Sequence, residues 1–446
     1  MSTSHQRGRG IDRATPNDLM TLASDVGFPP LQIAGVLLLE TRTPLGLDTV
    51  MAALDARMSG LARFRQRLVP VAPGLGRPVW MDDPAFDIRA HVHRIRCPCP
   101  GDEEALLTTA ADIATRPLPP DRPLWSAILV DGLSHERTAL IVTFHHVLAD
   151  GVGGLAVLAH LVDGMRGGKN MTTTADPDFP RPRPSAAQLA KDAARTRLRA
   201  LAALPRAPGR IRDALAQLTP CRHPCPNSLH QAAGPRRRFV TARAGLAGVT
   251  ATAHSRGATV NDAVLCAATG ALHALLRHRG EQVGTLTVSI PVSSRRTGSA
   301  VHLGNQVGSV PVPLPTSGPH RLEAIARITR RHKARQRGVS STLVAPVFRL
   351  LATLNLLSWV VNRQRLVSTS VTYLHGPHTP LSFLGAPVAG IVPVTAIRGN
   401  MTVSFVALSY SGTLLITVIA DPDRCPDLPV LAEALQCELD TLVAHG

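Results

Sequence analysis

The residues best suited to chemistry lie in the stretch HHVLADG, from His145 to Gly151. An apolar run precedes it, Ala139 to Phe144, and its composition predicts a strand that is buried on both faces. From Val152 onward, apolar residues recur every three or four positions, which predicts a helix packed on that sheet. The motif therefore lies on a strand-to-helix turn, where a side chain can be directed into a cleft.

This motif has more than one chemical interpretation. A histidine suits general acid–base work because its reference pKa, about 6.5, lies near working pH. Asp150 could be a charge partner of an imidazole or a structural anchor. An isolated histidine pair before a helix can also be core or bind metal. Adjacent histidines on an extended segment point to opposite sides, however, so His145 and His146 are poor chelators together.

Length and composition limit the elements that can position the motif. With 446 residues, of which 44% are apolar, the chain is expected to form two domains of roughly 150 to 200 residues. Its formal charge of +17 comes almost wholly from arginine and favours anionic partners. Nine Phe, two Tyr and three Trp are too few for interleaved stacking, so nucleic acid is not an expected partner.

Cysteine usage and hydropathy favour a reduced, cytoplasmic protein, since seven cysteines are spread over a chain that shows no apolar leader segment. Cys221, His223, Cys225 and His230 form the only metal-like cluster, but their spacing fits no common zinc module, so we interpret them as linker residues. No segment reaches the ~18 apolar residues of a membrane span. The nearest, Ser341 to Val361, fits a buried helix or a wall that meets lipid.

Composition shifts divide the chain. Glycine, threonine and proline at 165–185 mark a boundary, and a basic helical stretch broken by Pro205 and Pro208 follows over 185–218. We predict domains at 1–165, carrying the histidine motif, and at 236–446, joined by a linker at 166–235. In the second domain a helix is expected to be capped near Thr259 or Asn261, and a strand from Thr285 is expected to end at Pro291.

The order of several blocks resembles the bacterial wax ester synthase/acyl-CoA:diacylglycerol acyltransferases, within the chloramphenicol acetyltransferase-like superfamily that shares the HHxxxDG motif. The resemblance covers roughly residues 30 to 440. Besides HHVLADG, the blocks that carry it are PLW at Pro123–Trp125, NDAVLCA at Asn261–Ala267, IPVSSR, LGNQVGSVPVPLPT, PLSFLGAPVAGIVPVTAI and LSYSGTLLITVIADPDRCPD.

The resemblance implies an α/β (α+β) fold with two chloramphenicol acetyltransferase-like subdomains, whose mixed sheets are flanked by helices and face each other across a tunnel. It implies an O-acyltransferase that moves a fatty acyl group from acyl-CoA to an alcohol or diacylglycerol, without cofactor or metal. His146 is implied as general base, with His145 turned inward and Asp150 paired with an arginine, for which Arg295 is our candidate. No serine or cysteine stands in a nucleophile elbow, which favours direct transfer.

Further site residues follow from the matching blocks. Gly151 completes the motif, and Asn261 and Asp262 are expected to support the site. A weaker expectation of substrate binding concerns Pro123, Leu124, Trp125, Tyr373, His375 and Gly376.

Two departures leave the acceptor open. The chain has YLHGP, Tyr373 to Pro377, where the family is close to Asn-Val-Pro-Gly-Pro, and its N-terminal segment lacks the usual Pro-Met-His. One alternative is therefore the same chemistry on a hydroxyl or amine of a specialised metabolite. Another is a non-catalytic binding protein of the same fold. Insoluble acceptors would require peripheral attachment to an anionic membrane or lipid droplet through 185–218 and Ser341–Val361.

Overall fold

The computed structural model of the protein describes residues 11–444 except for 26, 28, 42, 164–178, 203–226, 294–306, 336–353, 355 and 398. The helices are α1 Pro16–Ser24, α2 Leu47–Met58, α3 Glu103–Thr115, α4 Gly151–Leu161, α5 Ala186–Ala202, α6 Leu246–Ser255, α7 Val260–His278, α8 Arg321–Arg335, α9 Leu357–Val361 and α10 Leu428–Ala444. The first seven strands are β1 Gln32–Glu40, β2 Gln66–Val69, β3 Val79–Asp82, β4 Val92–Arg96, β5 Trp125–Leu133, β6 Arg137–His145 and β7 Arg238–Gly245. The others are β8 Thr285–Ser293, β9 Val307–Pro315, β10 Thr369–His375, β11 Ser382–Phe383, β12 Ala386–Val394, β13 Val403–Tyr410 and β14 Thr413–Ala420.

The first mixed sheet holds the histidine motif and has the strand order β11-β12-β1-β6-β5-β4. The strand predicted from its apolar run is β6, which pairs antiparallel with β1 and β5 and is buried from Thr138 to His145. Helix α4 packs closely on this sheet, because a Cβ on Gly154 would lie 2.9 Å from Phe144 Cζ. Gly154 thus allows the helix to pack closely on the sheet.

The second mixed sheet has the order β7-β14-β13-β10-β8-β9 and packs on the buried helix α7. Strand β8 continues to Ser293, so the expected end at Pro291 was wrong. Beyond Ser289 its described pairing is with β9 alone, and a proline is tolerated where a strand lacks a partner on one side. Prolines at every second position of β9, Pro311 to Pro315, likewise suit the strand at the sheet edge.

The strand pairing crosses the predicted division of the chain. Strand β12 pairs antiparallel with β1, so the first sheet contains a segment from the last quarter of the sequence. Buried Tyr410 holds this crossing segment, because its hydroxyl accepts from the Leu381 N–H (2.8 Å) and donates to the Val388 carbonyl (3.0 Å). The second half therefore contributes β11 and β12 to the first sheet, which the sequence did not indicate. The boundary at 166–235 stays a prediction.

Helix α5 lies in the stretch expected to connect the halves. Its N-terminal half docks through buried Leu189 and Ala193 and through an ion pair between Arg13 Nε and Asp192 Oδ2 (2.5 Å). Residues 194–199 are exposed, and Arg197 donates to the Gly74 carbonyl (2.7 Å). The predicted continuation to Leu218, with Pro205 and Pro208, lies outside the described residues.

Among the described residues, no single helix is long and apolar enough to cross a membrane, while α6 and α7 together meet the length and composition test across a 98° bend.

Candidate active site

The motif turn connects β6 to α4, as its sequence predicted. The strand ends at His145 and the helix begins at Gly151, with Asp150 as the N-cap residue. The Asp150 Oδ1 atom accepts a hydrogen bond from the Gly153 N–H (2.8 Å). A capping aspartate satisfies a helix N–H group that otherwise lacks an intrahelical partner, so the carboxylate fixes where α4 starts.

His145 is turned inward and hydrogen-bonded at both ring nitrogens. Its Nδ1 accepts from the Val147 backbone N–H (3.0 Å), and its Nε2 lies 2.8 Å from Asp25 Oδ2. Only 5% of the residue is exposed. With both nitrogens engaged and the ring buried, His145 is placed to hold the turn, as the resemblance implied.

His146 differs from its neighbours in exposure. Every residue from Thr138 to Asp150 is buried except His146, which is half-buried. Its backbone N–H donates to the Leu31 carbonyl (2.8 Å), so its main chain is tied to the residue that precedes β1. Of the two motif histidines, His146 is thus the one that is partly accessible to solvent.

The buried Asp150 is 1% exposed, and its described contact is with the start of α4. This agrees with the interpretation of Asp150 as a structural anchor. Its expected partner, Arg295, lies outside the described residues, so that pairing stays a prediction.

Residues of the second half meet the motif at Gly151. A Cβ placed on Gly151 would lie 3.2 Å from Leu374 Cδ2 of β10, so the HHxxxDG and YLHGP blocks are brought together. Gly376 packs tightly too: its N–H donates to the Ser409 carbonyl (3.0 Å), and a Cβ there would overlap that carbonyl.

The side chains of the YLHGP block divide between the two faces of β10. Leu374 contacts the cores around the motif, whereas Tyr373 packs against the core around α7. The Tyr373 hydroxyl donates to Ser409 Oγ (3.1 Å) and lies 3.4 Å from His375 Nδ1. His375 is exposed and its ring centroid lies 5.1 Å from that of His378. Leu374, which the sequence did not single out, is therefore the residue of this block that faces the motif.

The PLW block is mostly part of the core. Trp125 is 1% exposed, its Nε1–H donates to the Phe64 carbonyl (2.8 Å), and its ring stacks on His91 at 4.5 Å. Because the only polar atom of this side chain is hydrogen-bonded within the core, Trp125 stabilises the fold. Leu124 contributes its carbonyl to the His145 N–H (2.9 Å), and Pro123 is buried beside it. Substrate binding by Pro123 and Leu124 stays a prediction.

The ND block begins α7. Thr259 is its N-cap, and Asp262 completes a capping box in which each side chain accepts from the other residue's N–H. Asp262 Oδ1 also accepts from the Thr329 hydroxyl (2.7 Å), which ties α7 to α8. Of the two caps predicted, Thr259 is right, and the half-buried Asn261 lies in the first turn. Asp262 therefore supports the core of the second half.

Metal-binding clusters of three or more His, Cys, Asp or Glu are absent from the part of the chain that the structure describes. Cys221, His223 and Cys225 lie outside it. His230 is described, and burial lowers the pKa of its imidazole below the usual value.

Asp25 contacts the motif, although the sequence did not indicate it. It caps the C-terminal end of α1, and its Oδ1 accepts from the Leu31 N–H (2.8 Å) while its Oδ2 meets His145. The contact joins residues 120 positions apart. The available signal was indirect: Asp25 shortly precedes an apolar strand that pairs with the motif strand.

Two mixed sheets, of which the first includes strands from the second half, and an HHxxxDG turn at their junction define a chloramphenicol acetyltransferase-like acyltransferase. Sequence models agree: the wax ester synthase/diacylglycerol acyltransferase catalytic domain matches residues 15–264, and the corresponding C-terminal domain matches residues 303–443. The chain belongs to the wax ester synthase/diacylglycerol acyltransferase family. The expected fold class and acyltransferase activity are thereby confirmed.

Individual relatives span nearly the whole chain. A "probable" diacylglycerol O-acyltransferase of Mycobacterium tuberculosis H37Rv is 30% identical over 430 residues, covering 93% of this chain and 91% of the relative. The solved wax ester synthase/diacylglycerol acyltransferase from Marinobacter aquaeolei VT8 has a TM-score of 0.69 at 22% identity, covering 97% and 98% of the two chains. The first condensation domain of the calcium-dependent antibiotic synthetase has a TM-score of 0.65 at 18% identity, covering 98% and 97%. These structural likenesses concern the fold alone.

Proposed function

We propose that this protein transfers a fatty acyl group from acyl-CoA to the hydroxyl of diacylglycerol or a long-chain alcohol, with His146 as general base. The observation that carries the role of His146 is its exposure, since it is the only residue from Thr138 to Asp150 that is not buried. The names of the relatives support the acceptor, because they are described as diacylglycerol O-acyltransferases.

The reaction proceeds by direct transfer. The neutral His146 imidazole takes the proton of the acceptor hydroxyl as its oxygen attacks the thioester carbonyl carbon. The tetrahedral intermediate collapses, the C–S bond breaks, and the imidazolium returns the proton to the departing CoA thiolate. One imidazole serves both steps because its reference pKa, about 6.5, permits both protonation states near neutral pH. Products are an ester and free CoA, and His146 is regenerated.

The test replaces the base and follows thiol release from acyl-CoA in the presence of alcohol. His146→Ala is expected to lower kcat by about 10²- to 10⁴-fold, the usual contribution of general-base catalysis, with an unchanged melting temperature. His254→Ala, an exposed histidine in the last turn of α6, is the matched control and should keep the wild-type rate. Retention of most of the activity by His146→Ala would remove it from the mechanism.

The acceptor is identified by a panel of diacylglycerol, a long-chain alcohol and small polar hydroxyl and amine compounds at one acyl-CoA concentration. We expect the highest kcat/KM with diacylglycerol or long-chain alcohol. Higher values with the polar compounds would favour a specialised metabolite as acceptor, the alternative that the YLHGP block suggested.

We also propose that a lipid surface delivers the acceptor. Five large apolar side chains near α9 are exposed: Leu354, Leu356, Trp359, Val360 and Leu366. The Arg363 guanidinium lies 4.8 Å from the centre of the Trp359 ring. Exposed apolar groups beside arginine suit shallow insertion into an anionic interface. Most of the apolar stretch predicted for this role, Ser341–Val361, lies outside the described residues, but its end belongs to this patch.

Co-sedimentation with vesicles tests this attachment. Binding to anionic vesicles is expected to fall as salt rises and to weaken in a Trp359→Ala/Leu366→Ala variant. Arg195→Gln/Arg199→Gln tests the exposed part of α5, where Arg197 is left unchanged because it holds Gly74. Equal, negligible binding to neutral and anionic vesicles at low salt would contradict the proposal.

A further inference from the structure

We propose that Asp25 is a positioning residue for the catalytic turn, which it holds through His145 and Leu31. The proposal rests on the proposed role of His146 as general base. It assigns to a residue outside the HHxxxDG motif the task of fixing where the base stands.

Asp25 contacts both residues that accept hydrogen bonds from the main chain around His146, Leu31 and His145. The N–H of His146 donates to the Leu31 carbonyl, and the N–H of Leu31 donates to Asp25 Oδ1, at 2.8 Å each. On the other side of His146, the Val147 N–H donates to the His145 ring, whose Nε2 meets Asp25 Oδ2 at 2.8 Å. One carboxylate therefore restrains the peptide bonds before and after the base.

The direction of these hydrogen bonds requires an acceptor at position 25. Because His145 Nδ1 accepts from the Val147 N–H, it carries no proton in the neutral ring, and Nε2 carries it instead. The Nε2–H then donates to Asp25 Oδ2. An Asn at position 25 can accept from Leu31 or from His145 with its single carbonyl oxygen, but its NH₂ group is a donor and cannot replace the other oxygen.

The surroundings hold Asp25 itself in place. It caps α1, where its N–H donates to the Leu22 carbonyl (3.1 Å). The other end of α1 is fixed by a capping box between Thr15 and Asp18. His145, in turn, is paired across the sheet with Gln32 of β1. The carboxylate thus connects a capped helix to the central strand pair of the first sheet.

Loss of this contact should reduce turnover more than binding. A displacement of a reacting group by about 1 Å can cost about 100-fold in rate. For Asp25→Asn we expect kcat to fall about 10- to 100-fold, while KM for acyl-CoA changes less than about threefold, since the variant removes no substrate contact. Asp25→Glu keeps two acceptor oxygens and should recover part of the lost kcat. Asp112→Asn, on the exposed face of α3, is the control and should behave as wild type.

A spectroscopic readout separates this role from general loss of stability. In protein with labelled histidine, the Nε2–H of His145 should give a hydrogen-bonded imidazole proton signal that disappears in Asp25→Asn and remains in His146→Ala. In the His146→Ala background, Asp25→Asn should cause no further fall in the residual rate, because the residue acts through the base.

Two outcomes would overturn the positioning role: a kcat for Asp25→Asn within about threefold of wild type, or an Asp25→Glu variant no better than Asp25→Asn at equal folded fraction. A fully active His146→Ala variant would instead reject the proposed base, and the His145 signal would still report whether Asp25 makes its contact. The two failures are therefore distinguishable.

Discussion

Leu374 of the second half lies against Gly151 of the first, at the point where the catalytic turn becomes a helix. A Cβ on Gly151 would come within 3.2 Å of Leu374 Cδ2. The contact connects the two halves through packing at the motif itself. It also explains why a residue without a side chain fits at position 151. A side chain at position 151 would require the Leu374 side chain to move by a few tenths of an ångström.

Gly151→Ala should therefore lower both stability and activity. Overpacking costs about 1 to 3 kcal/mol in well-packed interiors, and we expect the lower part of that range because Leu374 is only half-buried. Leu374→Val in the same chain should recover part of the loss. The measurements are urea denaturation and the acyl-transfer rate. Gly284→Ala, at an exposed position where no atom lies within 4 Å of the added Cβ, is the control. A Gly151→Ala variant as stable and active as the control would contradict this account.

Substitutions of Asp150 separate its capping role from its expected pairing with Arg295. Asp150→Ala removes the cap on Gly153 and should cost about 1 to 2 kcal/mol of stability. Asp150→Asn can still cap the helix, so a purely capping role predicts a much smaller loss. If Asp150 also pairs with a buried arginine, Asn should be nearly as harmful as Ala, because it leaves that charge without a partner. Melting temperatures of both variants, compared with wild type, decide between the two roles.

The elements next to the motif could be predicted because their signals are local. The apolar run before His145 and the three-to-four spacing after Val152 gave β6 and α4, and both are confirmed. The exchange of β12 into the first sheet could not be predicted in this way. An apolar run fits either sheet, and its partner is chosen by distant contacts such as those of Tyr410.

The site was predictable only in part, because it too depends on contacts between residues that are far apart in the sequence. A motif names His145 and His146 but does not reveal what restrains them. The contact of His145 with Asp25 spans 120 positions, and nothing in the composition around Asp25 marks it. For Trp125 the sequence indicated a site role, whereas the structure places the residue in the core. An aromatic residue in a family block suggested substrate binding, but the indole is enclosed by Phe64 and His91.

His91 should make the protein sensitive to mild acid. Burial lowers the pKa of its imidazole, which stacks on Phe86 and Trp125 and donates from Nδ1 to the Trp125 carbonyl. Because the folded pKa is below the unfolded value of about 6.5, the unfolded state binds the proton more readily, and stability falls as pH drops below about 6.5.

His91→Asn should reduce this dependence. Asn retains a donor for the carbonyl but has no group that titrates in this range, so its melting temperature should fall less between pH 7 and 5 than that of wild type. It should also be lower at pH 7, because the stacked ring is lost. His93→Asn, an exposed position two residues along the chain, is the control. An unchanged pH dependence in His91→Asn would show that other groups cause the acid sensitivity.

Arg181 should stabilise the attachment of the connecting segment to the β2–β3 hairpin at neutral pH but not in strong acid. Burial opposes ionisation of Asp82, yet hydrogen bonds from the Arg181 side chain (2.7 and 2.8 Å) and backbone (3.0 Å), together with one from Gln66 (2.9 Å), lower its pKa to about 2. The folded pKa is depressed, so the stabilisation is complete above the unfolded value, about 3.9, and is lost as pH falls through about 2.

The shift corresponds to at most about 2.6 kcal/mol, since one pKa unit is about 1.4 kcal/mol, and solvent screening around the partly exposed Arg181 side chain reduces this value. Arg181→Gln should therefore lower the free energy of unfolding at pH 7 by about 1 to 2 kcal/mol. The difference from wild type should shrink as pH falls from 4 toward 2. Urea denaturation at pH 7, 4 and 3 measures this, with Arg183→Gln as the matched exposed control. A difference that stays constant from pH 7 to pH 3 would mean that Arg181 acts through packing on the hairpin, without a contribution from the charge of Asp82.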